Sequence, residues 1–150
     1  MQAGREIKFR GKSVETGEWV YGMMVNNLFI KDADRTPVNY IVIDNEDCAM
    51  FDEMEPLFIE VAPETVGQFI GIRDKYGRQI YEGDILVDTL GTTGEVVWML
   101  EDCSFAALVS HPEVEYIAFE SDGSLKNTWV IGNVFENPEL LEVAEHASRT

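Results

Sequence analysis

Gln79-Ile80-Tyr81-Glu82-Gly83-Asp84-Ile85-Leu86-Val87 reads as a β-strand interrupted by one tight corner. Apolar and β-branched residues stand on both sides, and Glu-Gly-Asp supplies the small and polar residues that a sharp bend needs. Working outward, Asp74-Lys75-Tyr76-Gly77 carries turn chemistry, with a glycine at the end of the bend. Downstream, Leu90-Gly91-Thr92-Thr93-Gly94 reads as a loop tip from which Glu95 to Leu100 returns. Phe105 to Val109 and Val114 to Phe119 are further apolar runs, and Asp122-Gly123 marks a hairpin turn before Leu125 to Ile131. Five or six short strands inside about 65 residues predict a small SH3-like barrel.

The N-terminal part also reads as β. Ile7 and Phe9 alternate with Lys8 and Arg10, which predicts a strand with the two apolar residues facing a core. Trp19 to Val25 reads as the return arm of a hairpin, followed by the short runs Leu28–Ile30, Tyr40–Ile43 and Leu57–Val61. The expected architecture is mainly β: an N-terminal β region over 1–61, then an SH3-like barrel with a short C-terminal helix over 62–150. A single integrated domain over 1–150 is the alternative. The helix has a clear start, with Asn137 as N-cap, Pro138 at its first position and Glu139 beside the positive end of its dipole. Leu140, Leu141 and Ala144 form its apolar stripe, and it is expected to run to about Ala147.

The composition suits a folded domain. At 150 residues and 45% hydrophobic content, the chain has enough material for a core without disulfides or metals. Nowhere does it contain the apolar run of about 18 residues that a transmembrane helix requires. The net charge of −17 argues against broad binding to phosphate backbones or anionic lipid. Yet seven of the eleven basic residues fall in two groups: Arg5, Lys8, Arg10 and Lys12, and then Arg73, Lys75 and Arg78. The densest acidic stretch, Asp44 to Glu60, reads as a solvated face. Sharper readings make it a patch for a basic partner or an imitation of nucleic acid. Cys48 and Cys103 form no CxxC, and Met1 to Arg10 holds no apolar run long enough for a signal peptide. Both features point to two free thiols in a reducing cytoplasm.

Residues with catalytic potential lack catalytic company. No nucleophile elbow, phosphate loop, dinucleotide fingerprint or zinc-protease motif occurs. His111 precedes a proline in a turn, and His146 suits the negative end of a helix. Asp44 to Glu55 has the first and last carboxylates of a calcium loop, but Ala49 stands where the sharp turn needs glycine. Glu82 and Asp84 flank Gly83 and form a candidate acid/base pair, for which a structural corner is the simpler account. Thr92 and Thr93 offer an anion cradle without a basic neighbour. No catalytic, cofactor or metal residue is therefore assigned.

Three stretches exceed generic composition. They are Arg5 to Lys12 with Gly17-Glu18-Trp19-Val20-Tyr21-Gly22, Pro63 to Gly71 continuing through Ile80-Tyr81-Glu82-Gly83-Asp84-Ile85, and Val130 to Leu141 with Glu136-Asn137-Pro138-Glu139-Leu140-Leu141. In this order the chain resembles the YopX family of small phage and prophage proteins, over about residues 4 to 142. The resemblance implies a mostly β protein with an SH3-like barrel, acting in a bacterial host cytoplasm, and brings no catalytic residue with it. The function expected is a non-catalytic accessory protein that self-associates and binds a host or phage protein, with Lys8, Arg10 and Lys12 as candidate interface. The rival readings are an acidic mimic of nucleic acid, a nucleic-acid-binding barrel, and a hydrolase built on Glu82 and Asp84.

Overall fold

The computed structural model describes residues 6–30, 37–43, 57–109, 115–119 and 125–141. Asp44 to Glu55, Cys48, His111, Asp122-Gly123, Ala144 and His146, all singled out above, lie outside them. The chain divides into two compact units, Glu6–Gln68 and the part from Phe69 onward.

The first unit contains β1 (Phe9–Lys12), β2 (Trp19–Ile30), β3 (Pro37–Ile43), β4 (Leu57–Val61), one 3-10 turn (Pro63–Thr65) and the start of β5 (Gly67–Arg73). Its ladder is antiparallel throughout, in the order β4-β3-β2-β1-β5. The runs Trp19–Val25 and Leu28–Ile30 belong to one long strand, with an irregularity in its pairing to β3 between Asn26 and Ile30. Ile41 and Val61 are fully buried. Beyond β1, the chain folds against the end of β4: Val14 N donates to Glu60 O at 3.0 Å, and Ala62 N donates to Lys12 O at 2.9 Å. The Pro-Glu-Thr motif completes this corner. Buried Thr65 accepts the Lys12 amide at 2.9 Å and donates its hydroxyl to Ala62 O at 2.6 Å, satisfying polar groups that burial would otherwise penalise.

The second unit holds the rest of β5, then β6 (Gln79–Tyr81), β7 (Asp84–Asp88), β8 (Thr93–Met99), β9 (Ser104–Val109), β10 (Glu115–Ala118) and β11 (Thr128–Asn133). β5 and β6 form the hairpin around Asp74–Gly77. The remaining strands lie in the order β10-β9-β8-β7-β11, again antiparallel. Ile80, Leu86 and Val96 make the buried cluster, with Ile70, Ile72, Phe119, Leu125 and Val130 packed against it.

The mainly β architecture holds, and no closed barrel is seen among the described residues. Among the described residues the second-unit ladder is open, because its last strand in sequence, β11, pairs with β7 and not with β10. The helix start also holds at 139–141, but the Asn137 side chain points backward. Its Oδ1 accepts the Asn133 amide at 3.3 Å, while the Asn137 carbonyl accepts from Leu140 N. Asn133 in turn caps the preceding bend, its Oδ1 accepting from Phe135 N and Glu136 N. The Gly-Asn-Val-Phe-Glu-Asn motif is thus a set of interlocked turns.

Candidate functional site

Two places combine cationic and aromatic side chains, one in each unit. On β1 and the residue before it, alternation brings Lys8, Arg10 and Lys12 to one face, and the register sets Arg10 opposite Tyr21 and Lys12 opposite Trp19. The Lys8 ammonium lies 5.7 Å from the Tyr21 ring centre. The Arg10 guanidinium lies 4.5 Å from Trp19, and the Lys12 ammonium 5.4 Å from the same ring. Cations at such distances are attracted to the negative face of the ring, more strongly where water is excluded.

This row differs from the sequence expectation. Arg10 is buried, at 6% exposure, whereas Ile7 is 39% exposed. Alternation sets the basic residues on one face, and on that face the indole of Trp19 on the next strand covers Arg10. The same face continues across the sheet. Met23 follows Tyr21 by two residues on β2, Met23 pairs with Val42, and Val42 pairs with Phe58. Tyr21, Met23 and Phe58 are all exposed, and Tyr40 meets Phe58 edge to face at 6.3 Å.

The second place is the β5–β6 turn. The Lys75 ammonium lies 5.6 Å from both the Tyr76 and Trp129 rings, which meet edge to face at 6.2 Å. Lys126 also stands here, since Leu125 N donates to Arg73 O and Lys75 N donates to Thr128 O. Sequence reasoning found Arg73, Lys75 and Arg78 and missed Lys126 and Trp129, because their proximity depends on strand pairing some 50 residues away.

The carboxylates of the corner separate in role. Asp84 is buried, and its Oδ2 accepts the Tyr81 amide at 2.8 Å. Glu82 acts electrostatically on Glu95 instead: burial first, and then the Glu82 charge, raise the Glu95 carboxyl above its ordinary pKa. The Thr92 loop holds a carboxylate of its own, Asp88, whose Oδ1 accepts from Leu90 N and Thr92 N at 2.9 Å each. An incoming anion would meet that charge. Exposed Cys103 has φ of 51° and ends a turn, its amide donating to Leu100 O. Among the described residues, no group of three or more His, Cys, Asp or Glu side chains is placed to hold a metal ion. None of their helices is long and apolar enough to cross a membrane.

These features define a mainly β protein of two antiparallel units, marked by cation–aromatic surfaces. The model of the YopX protein family matches residues 8–142, and the chain belongs to that family. Among solved structures, it is similar to protein EF1440 from Enterococcus faecalis, with 20% identity over 91% of this chain and 98% of that one, at a TM-score of 0.44. No curated protein shows significant similarity.

Proposed function

We propose that the chain is a non-catalytic accessory protein of a phage or prophage, an SH3-like binding module that self-associates in the host cytoplasm and engages a protein partner. The observation that carries this reading is the β1–β2 face, where Lys8, Arg10 and Lys12 lie over Trp19 and Tyr21 beside exposed Met23 and Phe58. The chain carries 28 acidic residues against 11 basic ones, so a second copy offers acidic surface in abundance. A basic face on one copy against an acidic surface on the next is a heterologous contact, which closes into a ring when the rotation permits. Exposed ion pairs contribute about 0–1 kcal/mol each, so the aromatic and Met surface supplies most of the affinity and the charges set orientation.

Light scattering across protein and salt concentration tests this. Assembly that weakens in Tyr21→Ser/Phe58→Ser and shifts with salt is the expected result. A single 17.0 kDa species under all conditions ends the reading. Exposed rings beside cations also suit single-stranded nucleic acid. Nuclease-sensitive nucleic acid bound to the purified chain, and lost in Lys8→Glu, would replace protein binding with that function.

A further inference from the structure

We propose that the β5–β6 turn, with Lys126 and Trp129 beside it, is a second binding site that takes an acidic, extended segment of another protein. The turn is held from within. Asp74 is buried, its Oδ1 accepting from Tyr76 N and Arg78 N at 2.9 Å each, and its Oδ2 accepting from Val130 N at 3.0 Å. Gly77, at φ of 81°, turns the chain, and Arg73 Nη1 donates to the Gly77 carbonyl at 3.1 Å. The carboxylate inside the turn therefore serves the backbone amides, while Arg73, Lys75, Arg78 and Lys126 are exposed. Tyr76 protrudes among them at 64% exposure.

Exposed Arg73, Lys75, Arg78 and Lys126 on the turn and the chain hydrogen-bonded to it, with Lys75 against the Tyr76 ring, form a preorganised surface, which lowers the ordering cost of binding. Guanidinium forks match carboxylate geometry, and the ring offers a flat apolar contact for an extended chain. The charge of the whole protein selects the class of partner. A nucleic-acid strand gains affinity from many phosphate contacts and would run onto the acidic surface of a chain carrying −17. A short acidic peptide places its charge at the turn alone. The site uses none of the residues of the β1 face and stands independently of self-association.

The test is fluorescence anisotropy of the full chain with a labelled hexaglutamate peptide, and with an oligothymidylate of equal charge, at low and high salt. The peptide is expected to bind, less tightly as salt rises. Lys75→Gln/Arg78→Gln/Lys126→Gln should weaken it about tenfold or more. Tyr76→Ala should also weaken it. Arg73 is kept because it supports the turn, and equal melting temperatures verify that the variants fold. The proposal is overturned if the peptide does not bind at millimolar concentration, if the triple variant binds it equally well, or if the oligothymidylate binds more tightly through the same residues.

Discussion

The Val134 amide donates to the Gly83 carbonyl at 2.9 Å, and the Phe135 ring fills the space a side chain at position 83 would need. The Ile-Tyr-Glu-Gly-Asp-Ile stretch and the Val134-Phe135 pair, which directly precedes Glu-Asn-Pro-Glu-Leu-Leu, therefore meet at one corner. Gly83 has φ of 91°, and a Cβ there would lie 2.9 Å from Phe135 Cε2. Gly83→Ala is expected to destabilise the fold by about 1–3 kcal/mol, combining backbone strain with the displaced ring. In a Phe135→Ala background the further cost of Gly83→Ala should shrink without vanishing, since φ stays positive. A denaturant double-mutant cycle measures that coupling, and an additive result would show that the ring is not the obstacle.

Asp74→Asn tests the β5–β6 turn. An amide side chain has one accepting oxygen, whereas the two Asp74 oxygens accept from three backbone amides. At least one donor should then face another donor, at a cost of about 1–3 kcal/mol. The thermal midpoint should fall, and amide exchange should quicken at Tyr76 and Arg78 or at Val130, whichever the oxygen abandons.

Glu95 makes stability depend on pH. Its folded-state pKa is raised, by burial and then by Glu82, so the folded protein holds a proton that the unfolded chain releases. Its contribution is complete below the unfolded pKa and is lost as pH rises through the raised folded value. Glu95→Gln should flatten that segment of the stability–pH curve and raise stability at neutral pH. Glu82→Gln should move the segment downward in pH while leaving the burial effect. Urea titrations across the acidic range would refute this if wild type and Glu95→Gln run parallel.

Arg10 and Ile7 should respond in the opposite order from the one their chemistry suggests. Arg10→Ala removes a buried cation from the Trp19 face and is expected to cost about 2 kcal/mol or more. Ile7→Ser, at a position 39% exposed, should stay within about 0.5 kcal/mol. Matched urea midpoints for the two variants check that order.

The strands were legible because period-two alternation and turn residues are local properties of a chain. Tyr40–Ile43, Leu57–Val61 and the runs from Gln79 to Val109 all became strands, and Glu82-Gly83 became the corner that a small, flexible residue between acids announces. What a side chain meets is not local. Alternation states that Arg10 and Ile7 face opposite ways, but not which side chain is covered. Trp19, brought alongside by the β1–β2 register, decided that Arg10 is the buried one. Sequence left Asp84 as a corner residue or half of an acid pair, and its carboxylate accepts the Tyr81 amide. The chain around Lys126 reaches the turn of Lys75 only through the Leu125–Arg73 and Lys75–Thr128 hydrogen bonds. The open ladder likewise depended on which strand β11 chose as its neighbour. By itself the sequence determined strand content, the turns and the charge segregation, through steric and hydrophobic preferences acting within a few residues. Only the tertiary structure decided which cations are covered, which carboxylates serve the backbone and which rings and cations share a surface, because those outcomes rest on contacts between strands distant in the chain.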